Sequence, residues 1–207
     1  MKIAVIGANG NIGTRVVKLL LSNNYEVRAL VHGRHNELPT HSNLTIIEGD
    51  IRDQASIHDV ITGTESVIST LGSWGTPTKD ILTTGMKTLV PAMQNLGIMR
   101  LISLTGSGVL LPSDTTKWYD HLNPLLLRIV QPKILFDGAE HIAILQKSSL
   151  DWTVLRSPIM RDGAANGYAL STTAPGLWRR IARDDVAQAL VDQLASSEHL
   201  HQAPFIK

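Results

Sequence analysis

A short apolar run, Lys2-Ile3-Ala4-Val5-Ile6, breaks directly into Gly7-Ala8-Asn9-Gly10-Asn11-Ile12-Gly13 at the start of the chain. Glycines at this spacing let a backbone turn sharply after a strand and pass close to a diphosphate with no Cβ in the way. The amides that open the following helix then face the negative charge. The chemistry on offer is dinucleotide binding, with Gly7, Asn9, Gly10, Asn11, Ile12 and Gly13 as the candidate turn. Turns rich in Gly and Asn are common at helix starts, so the surroundings decide. Ile12, Val16, Leu19 and Leu20 follow at helical spacing, and a second β-branched run, Tyr25 to Val31, arrives within the ~30 residues of a βαβ unit.

The end of that second run bears on the choice of dinucleotide. A site for NAD commonly places Asp or Glu there, to accept from the ribose 2′-hydroxyl. This chain has Val31-His32-Gly33-Arg34-His35 instead. A guanidinium at Arg34 suits a 2′-phosphate, which an acidic group would repel, so NADP(H) is expected over NAD(H). His32 either joins the same pocket or stands as a solvated loop histidine.

The glycines read G-x-x-G-x-x-G, and other segments follow in a telling order: Glu48-Gly49-Asp50-Ile51, Val67-Ile68-Ser69-Thr70-Leu71-Gly72, Leu101-Ile102-Ser103-Leu104-Thr105, Ser149-Leu150-Asp151-Trp152-Thr153-Val154-Leu155-Arg156-Ser157-Pro158 and Asp185-Val186-Ala187. In this order they resemble the atypical short-chain dehydrogenase/reductase superfamily, in particular its NmrA-like and biliverdin reductase B (flavin reductase)-like NAD(P)H-binding members. The resemblance runs over most of the chain. It implies that Asp50 and Ile51 lie against adenine, that Thr70, Leu71 and Gly72 pass beneath the ribose, and that Ser103 and Pro158 border the nicotinamide end. Read without the resemblance, Asp50 and Asp53 both stand near a helix start, and Asp53 is the better cap.

Familiar members of the superfamily use Tyr-x-x-x-Lys, the lysine lowering the phenol's pKa. Here the residues four places after Tyr25, Tyr119 and Tyr168 are Ala29, Asn123 and Thr172. The superfamily's usual hydroxyl after the fifth strand falls near Gly106, leaving Thr105 and Ser107 as the candidate catalytic hydroxyls, or as ordinary turn-stabilising groups. Trp74, Trp118, Tyr119 and His121 are candidates for stacking on a flat conjugated acceptor, or for packing a loop onto the domain. Asp137, Glu140 and His141 read as a polar helix face, since their spacing supplies no three-ligand metal set.

The elements that must position these residues alternate. Strands are expected at 2–6, 25–31, 44–49, 65–70, 99–105 and 151–156, and helices at 11–23, 53–62, 79–96, 131–148 and 184–197. Such alternation predicts a doubly wound α/β Rossmann-type fold, a mainly parallel sheet with helices on both faces. We expect a single NAD(P)-binding domain over 1–207, with small substrate-side elaborations around 106–132 and 157–183.

Composition narrows the partners. The chain has no cysteine, which removes disulfides, thiolate metal sites and cysteine nucleophiles and accords with a cytoplasmic setting. A net charge of +1 without a basic stripe argues against nucleic acid. No apolar run approaches the ~20 residues of a membrane span. Two function classes remain: an NAD(P)H-dependent oxidoreductase passing hydride to a flavin, quinone or bilin, and a non-catalytic dinucleotide sensor with a protein partner. The apolar stretch Leu122 to Val130 separates them, as a lid if folded over the cofactor and as a partner surface if exposed.

Overall fold

β-branched and aliphatic runs of four to seven residues form the strands at the centre of the molecule. In the computed structural model, which describes residues 1–33, 38–73, 79–118, 122, 125, 129–176 and 179–207, these are β1 (Lys2–Ile6), β2 (Glu26–Val31), β3 (Leu44–Glu48), β4 (Ser66–Ser69), β5 (Arg100–Gly106) and β6 (Asp151–Ser157). They pair in parallel in the order β3-β2-β1-β4-β5-β6. Ile3, Ala4, Val5 and Ile6 of β1 are all buried, as are Val67 and Ile68 of β4 and Leu101 and Ile102 of β5. Continuous burial is what a parallel strand covered on both faces requires. The edge strand β3 is largely exposed.

Helices cover both faces. α1 (Asn11–Ser22) and α5 (Arg183–Asp192) share one core with Val5, Val27 and Leu155. α2 (Gln54–Ile61), α3 (Ile81–Asn95) and α4 (Pro132–Gln146) share the other with Ile6, Val67 and Val154. The expected doubly wound, mainly parallel Rossmann-type fold is therefore present. The chain switches direction between β1 and β4, and ligands bind such sheets at the carboxyl ends of the strands beside that switch.

Short strands that the sequence pattern did not announce complete the structure. β7 (Ile159–Arg161) pairs in parallel with β9 (Arg180–Ala182), and β10 (Phe205–Ile206) inserts between β6 and β8 (Leu170–Ser171), parallel to the first and antiparallel to the second. The last helix stops at Asp192, five residues before the expected 197, and Leu194 N turns back to Val191 O. The polar face expected on α4 is turned inward: Asp137 and His141 are buried, and Glu140 is partly exposed.

Candidate functional site

The glycine turn sits at the switch point between β1 and α1. Gly7 has φ +77°, a conformation that only glycine adopts without strain, and its carbonyl accepts from Gly10 N at 3.0 Å. The Thr70 hydroxyl, arriving from the end of β4, stands 3.0 Å from the carbonyls of both Ile6 and Gly7 and fastens the turn to the neighbouring strand. α1 then begins with Gly10 as its N-cap, without a side-chain cap and without an acidic residue in its first turn. Its opening amides lack intrahelical partners by the geometry of any helix, and with the dipole they favour an anion. Gly10 and Asn11 are exposed, whereas Ile12 is buried beneath them in the core. These features suit a diphosphate: helix amides without a side-chain cap, no acidic residue in the first turn, and a glycine at the N-cap where a Cβ would meet only Gly7 O at 3.2 Å.

The ends of β1, β2 and β3 converge beside it. The Asn9 side-chain amide donates to His32 O at 2.8 Å, bridging the first two strands. The His32 ring is largely exposed, with Nδ1 3.7 Å from Asp50 Oδ2. The same carboxylate accepts from Arg52 N at 2.9 Å and from Arg52 Nη1 at 3.3 Å. Arg52 was absent from the sequence-derived set, and it brings a guanidinium to this corner. Its signal in the sequence is the Asp50-x-Arg52 spacing, which a turn can fold back on itself. Ile51 points inward, packing beside Gly85 of α3. Arg34 lies outside the described residues.

Asp53, not Asp50, caps α2. Its carboxylate accepts from Ala55 N at 3.2 Å, Ser56 N at 3.0 Å and the Ser56 hydroxyl at 2.6 Å. The Ser56 hydroxyl first, then the two amides, hold this carboxyl below its usual range.

Beyond β4, Thr70, Leu71 and Gly72 lead to Ser73, whose hydroxyl donates to Asp137 of α4. Thr105, near the end of β5, is buried against α4, where a Cβ on Gly138 would come within 2.7 Å of its hydroxyl. Ser107 is half-buried, and its amide donates to Ser157 O at 2.8 Å. Ser103 lies deeper in the same strand, covered, with its hydroxyl 2.9 Å from His141 Nε2. The structure therefore places Thr105 and Ser107 at the strand end and holds the Ser103 side chain in the interior. Pro158 is buried at the end of β6. Trp118 is exposed, and Trp74, Tyr119 and His121 lie outside the described residues.

Two buried polar clusters went unread in the sequence. Burial pushes the His141 pKa down to about 4, against the opposing pull of the Asp137 charge, so the imidazole is neutral; its Nδ1 has no hydrogen-bond partner. Arg156 is fully buried and pairs with Asp114 through both guanidinium nitrogens at 2.5 and 2.6 Å. It also donates to Val109 O at 2.8 Å and Ala203 O at 2.6 Å, and its guanidinium lies 3.7 Å over the Phe205 ring. This pair ties the segment after β5 down to the sheet. Among the described residues there is no cluster able to hold a metal, and no helix is long and apolar enough to cross a membrane.

Known proteins share this fold. The chain is 28% identical over 207 residues to the uncharacterized sugar epimerase YhfK of Bacillus subtilis (strain 168), covering 94% of this chain and 88% of the relative. Its fold matches a wide-type short-chain dehydrogenase/reductase from Veillonella parvula DSM 2008 solved in complex with NADP (TM-score 0.78, 19% identity, 99% of this chain and 93% of that one). It also matches ChuY, an anaerobillin reductase from Escherichia coli O157:H7 (TM-score 0.77, 18% identity, 100% and 96%). A sequence profile described as NAD(P)H-binding matches residues 7–197, a span that begins at the first glycine of the turn and includes every strand end around it. The chain belongs to this NAD(P)H-binding family.

Proposed function

We propose that the protein is an NADPH-dependent oxidoreductase that passes hydride to a conjugated small-molecule acceptor of the flavin, quinone or bilin type, without a tyrosine–lysine pair. The hydride is what the dinucleotide supplies when bound. The chain's own residues hold it on the glycine turn, orient its two ends and keep water from the reacting face. The inner face of α4 carries this reading. Asp137 is bonded to α3 and Ser73, Gly138 is pressed on Thr105, and His141 is sunk onto Ser103, so that face offers no proton donor to a carbonyl oxygen. The Tyr168 phenol, bonded to Asp192 at 2.5 Å, is pushed above its ordinary pKa by burial and then by that carboxylate, the opposite of what a catalytic tyrosine needs. An acceptor that takes hydride into an extended π system asks little acid of the protein. NADPH is favoured over NADH because His32 and Arg34 replace an acidic group at the end of β2.

Purified protein titrated with NADPH and NADH, then assayed for NADPH oxidation against flavins, quinones and bilins, tests this directly. We expect tighter NADPH binding and turnover with at least one acceptor. Arg34→Glu weakens NADPH selectively, and equal loss for both dinucleotides would remove the phosphate assignment.

One observation favours a second reading. Leu122, Leu125, Ile129 and Val130 of the apolar stretch are exposed, Ile129 at 74% and Val130 at 60%, as a partner surface would be. Tight NADPH binding with no turnover on any acceptor transfers the assignment to a dinucleotide sensor.

A further inference from the structure

α3 begins without a cap of its own. Asp80 occupies its N-cap position but makes no side-chain bond to the helix. The missing acceptor comes from the neighbouring helix: Asp137 of α4, 1% exposed, accepts from Leu82 N at 3.1 Å and Thr83 N at 2.7 Å. Its charge stands where the α3 dipole favours it. The carboxylate does more than cap, because Ser73 also donates to it.

Ser73 ends the segment whose other end is fixed to the glycine turn. Thr70 bonds the carbonyls of Ile6 and Gly7, Leu71 packs where Gly85 of α3 leaves room, and Ser73 reaches Asp137. A continuous line of contacts thus runs from the glycine turn through residues 70–73 into α4. On α4 itself, Phe136 is exposed immediately before Asp137, and Gly138 seats on Thr105 immediately after it.

We propose that Asp137 is a positioning residue for the dinucleotide: its bond from Ser73 holds residues 70–73, the segment fixed at its other end to the glycine turn, and couples that segment to α3 and α4. The proposal rests on the dinucleotide-binding reading given above and adds a residue to it that touches no substrate.

Two variants separate positioning from capping. Ser73→Ala cuts the tie and leaves the bonds of Leu82 and Thr83 in place, whereas Asp137→Asn disturbs both. Followed by NADPH fluorescence titration, Ser73→Ala should stay folded with a denaturant midpoint lowered by the loss of one buried hydrogen bond, and should also weaken binding about tenfold because residues 70–73 are no longer held in place. Ser73→Thr, which keeps the hydroxyl, should recover most of the affinity. Asp137→Asn should weaken NADPH and lower the midpoint as well, and the double variant should lose less affinity than the two single losses combined, since both remove one contact. A folded Ser73→Ala that binds NADPH like wild type overturns the proposal while leaving the cofactor reading intact, as does strict additivity in the double variant. A wild-type protein that binds neither NADPH nor NADH overturns both.

Discussion

Gly10 and Gly13 stand in one turn and are glycine for different reasons. A Cβ on Gly13 would lie 2.2 Å from Gly7 O and 2.8 Å from Ala8 Cα, inside the fold's own backbone. A Cβ on Gly10 meets only Gly7 O, at 3.2 Å, and φ there is −78°, open to any residue. We therefore expect Gly13→Ala to cost about 3 kcal/mol or more of stability through backbone displacement. Gly10→Ala should melt close to wild type yet lose dinucleotide affinity, because its methyl group points into the ligand's space. Thermal melts paired with NADPH titration distinguish the two, and a Gly13→Ala protein as stable as wild type would contradict the packing argument. In the sequence the two positions look alike. The G-x-x-G-x-x-G pattern reveals that a tight turn is needed, whereas the atom each glycine must avoid belongs to the folded chain.

At the scale of elements, a buried ion pair ties the segment after β5 to the sheet. Asp114 binds Leu111 N at 2.7 Å and both nitrogens of Arg156, and both side chains are almost wholly out of water. Removing one partner strands the other's charge, at a cost of about 3–5 kcal/mol. Asp114→Asn should lower the denaturant midpoint accordingly and expose the amides of residues 107–115 to faster hydrogen exchange, while amides in β1 and β4 stay protected. Uniform acceleration across the sheet would show that the pair supports the whole fold rather than this segment. The six long strands and five helices were legible because each carries a hydrophobic period long enough to declare itself. β7 to β10, at two or three residues each, carry none. Asp137 and His141 were placed on one helix face correctly, since four residues make one turn. That this face is buried depends on α3 presenting its bare amides there, a fact of packing with no local trace. Arg156 and Asp114, 42 residues apart, meet for the same kind of reason.

For the molecule as a whole, the neutral His141 in the core makes stability depend on pH. Its pKa lies near 4 in the folded protein and at 6.5 when unfolded, so between these values the unfolded chain takes up a proton that the native one refuses. Stability is unaffected above about pH 6.5, falls as pH drops through that window, and levels off below about pH 4. The contribution is about 3 kcal/mol by linkage. His141→Gln should be less stable than wild type at pH 7.5, because it gives up the packed ring, and should close that gap as pH falls to 4.5. Parallel stability curves for the two proteins would exclude His141 as the titrating group. The fold class and the dinucleotide turn could be read from the sequence because both rest on local pattern.

The insertion of β10 beside β6 also sets an order in time. Val154 N and Arg156 N of β6 donate to Gln202 O and Pro204 O at 3.0 and 2.9 Å, and Arg156 Nε to Ala203 O. These acceptors leave the ribosome roughly fifty residues after β6 does. Until then the growing chain holds a strand with an unpaired edge and a guanidinium lacking both its carbonyl and the Phe205 ring that covers it. The nascent protein therefore passes through a stage at which β1 to β6 can already pair in parallel while the outer edge of β6 still waits for β10. A ribosome stalled shortly before residue 202 would present that open edge to chaperones.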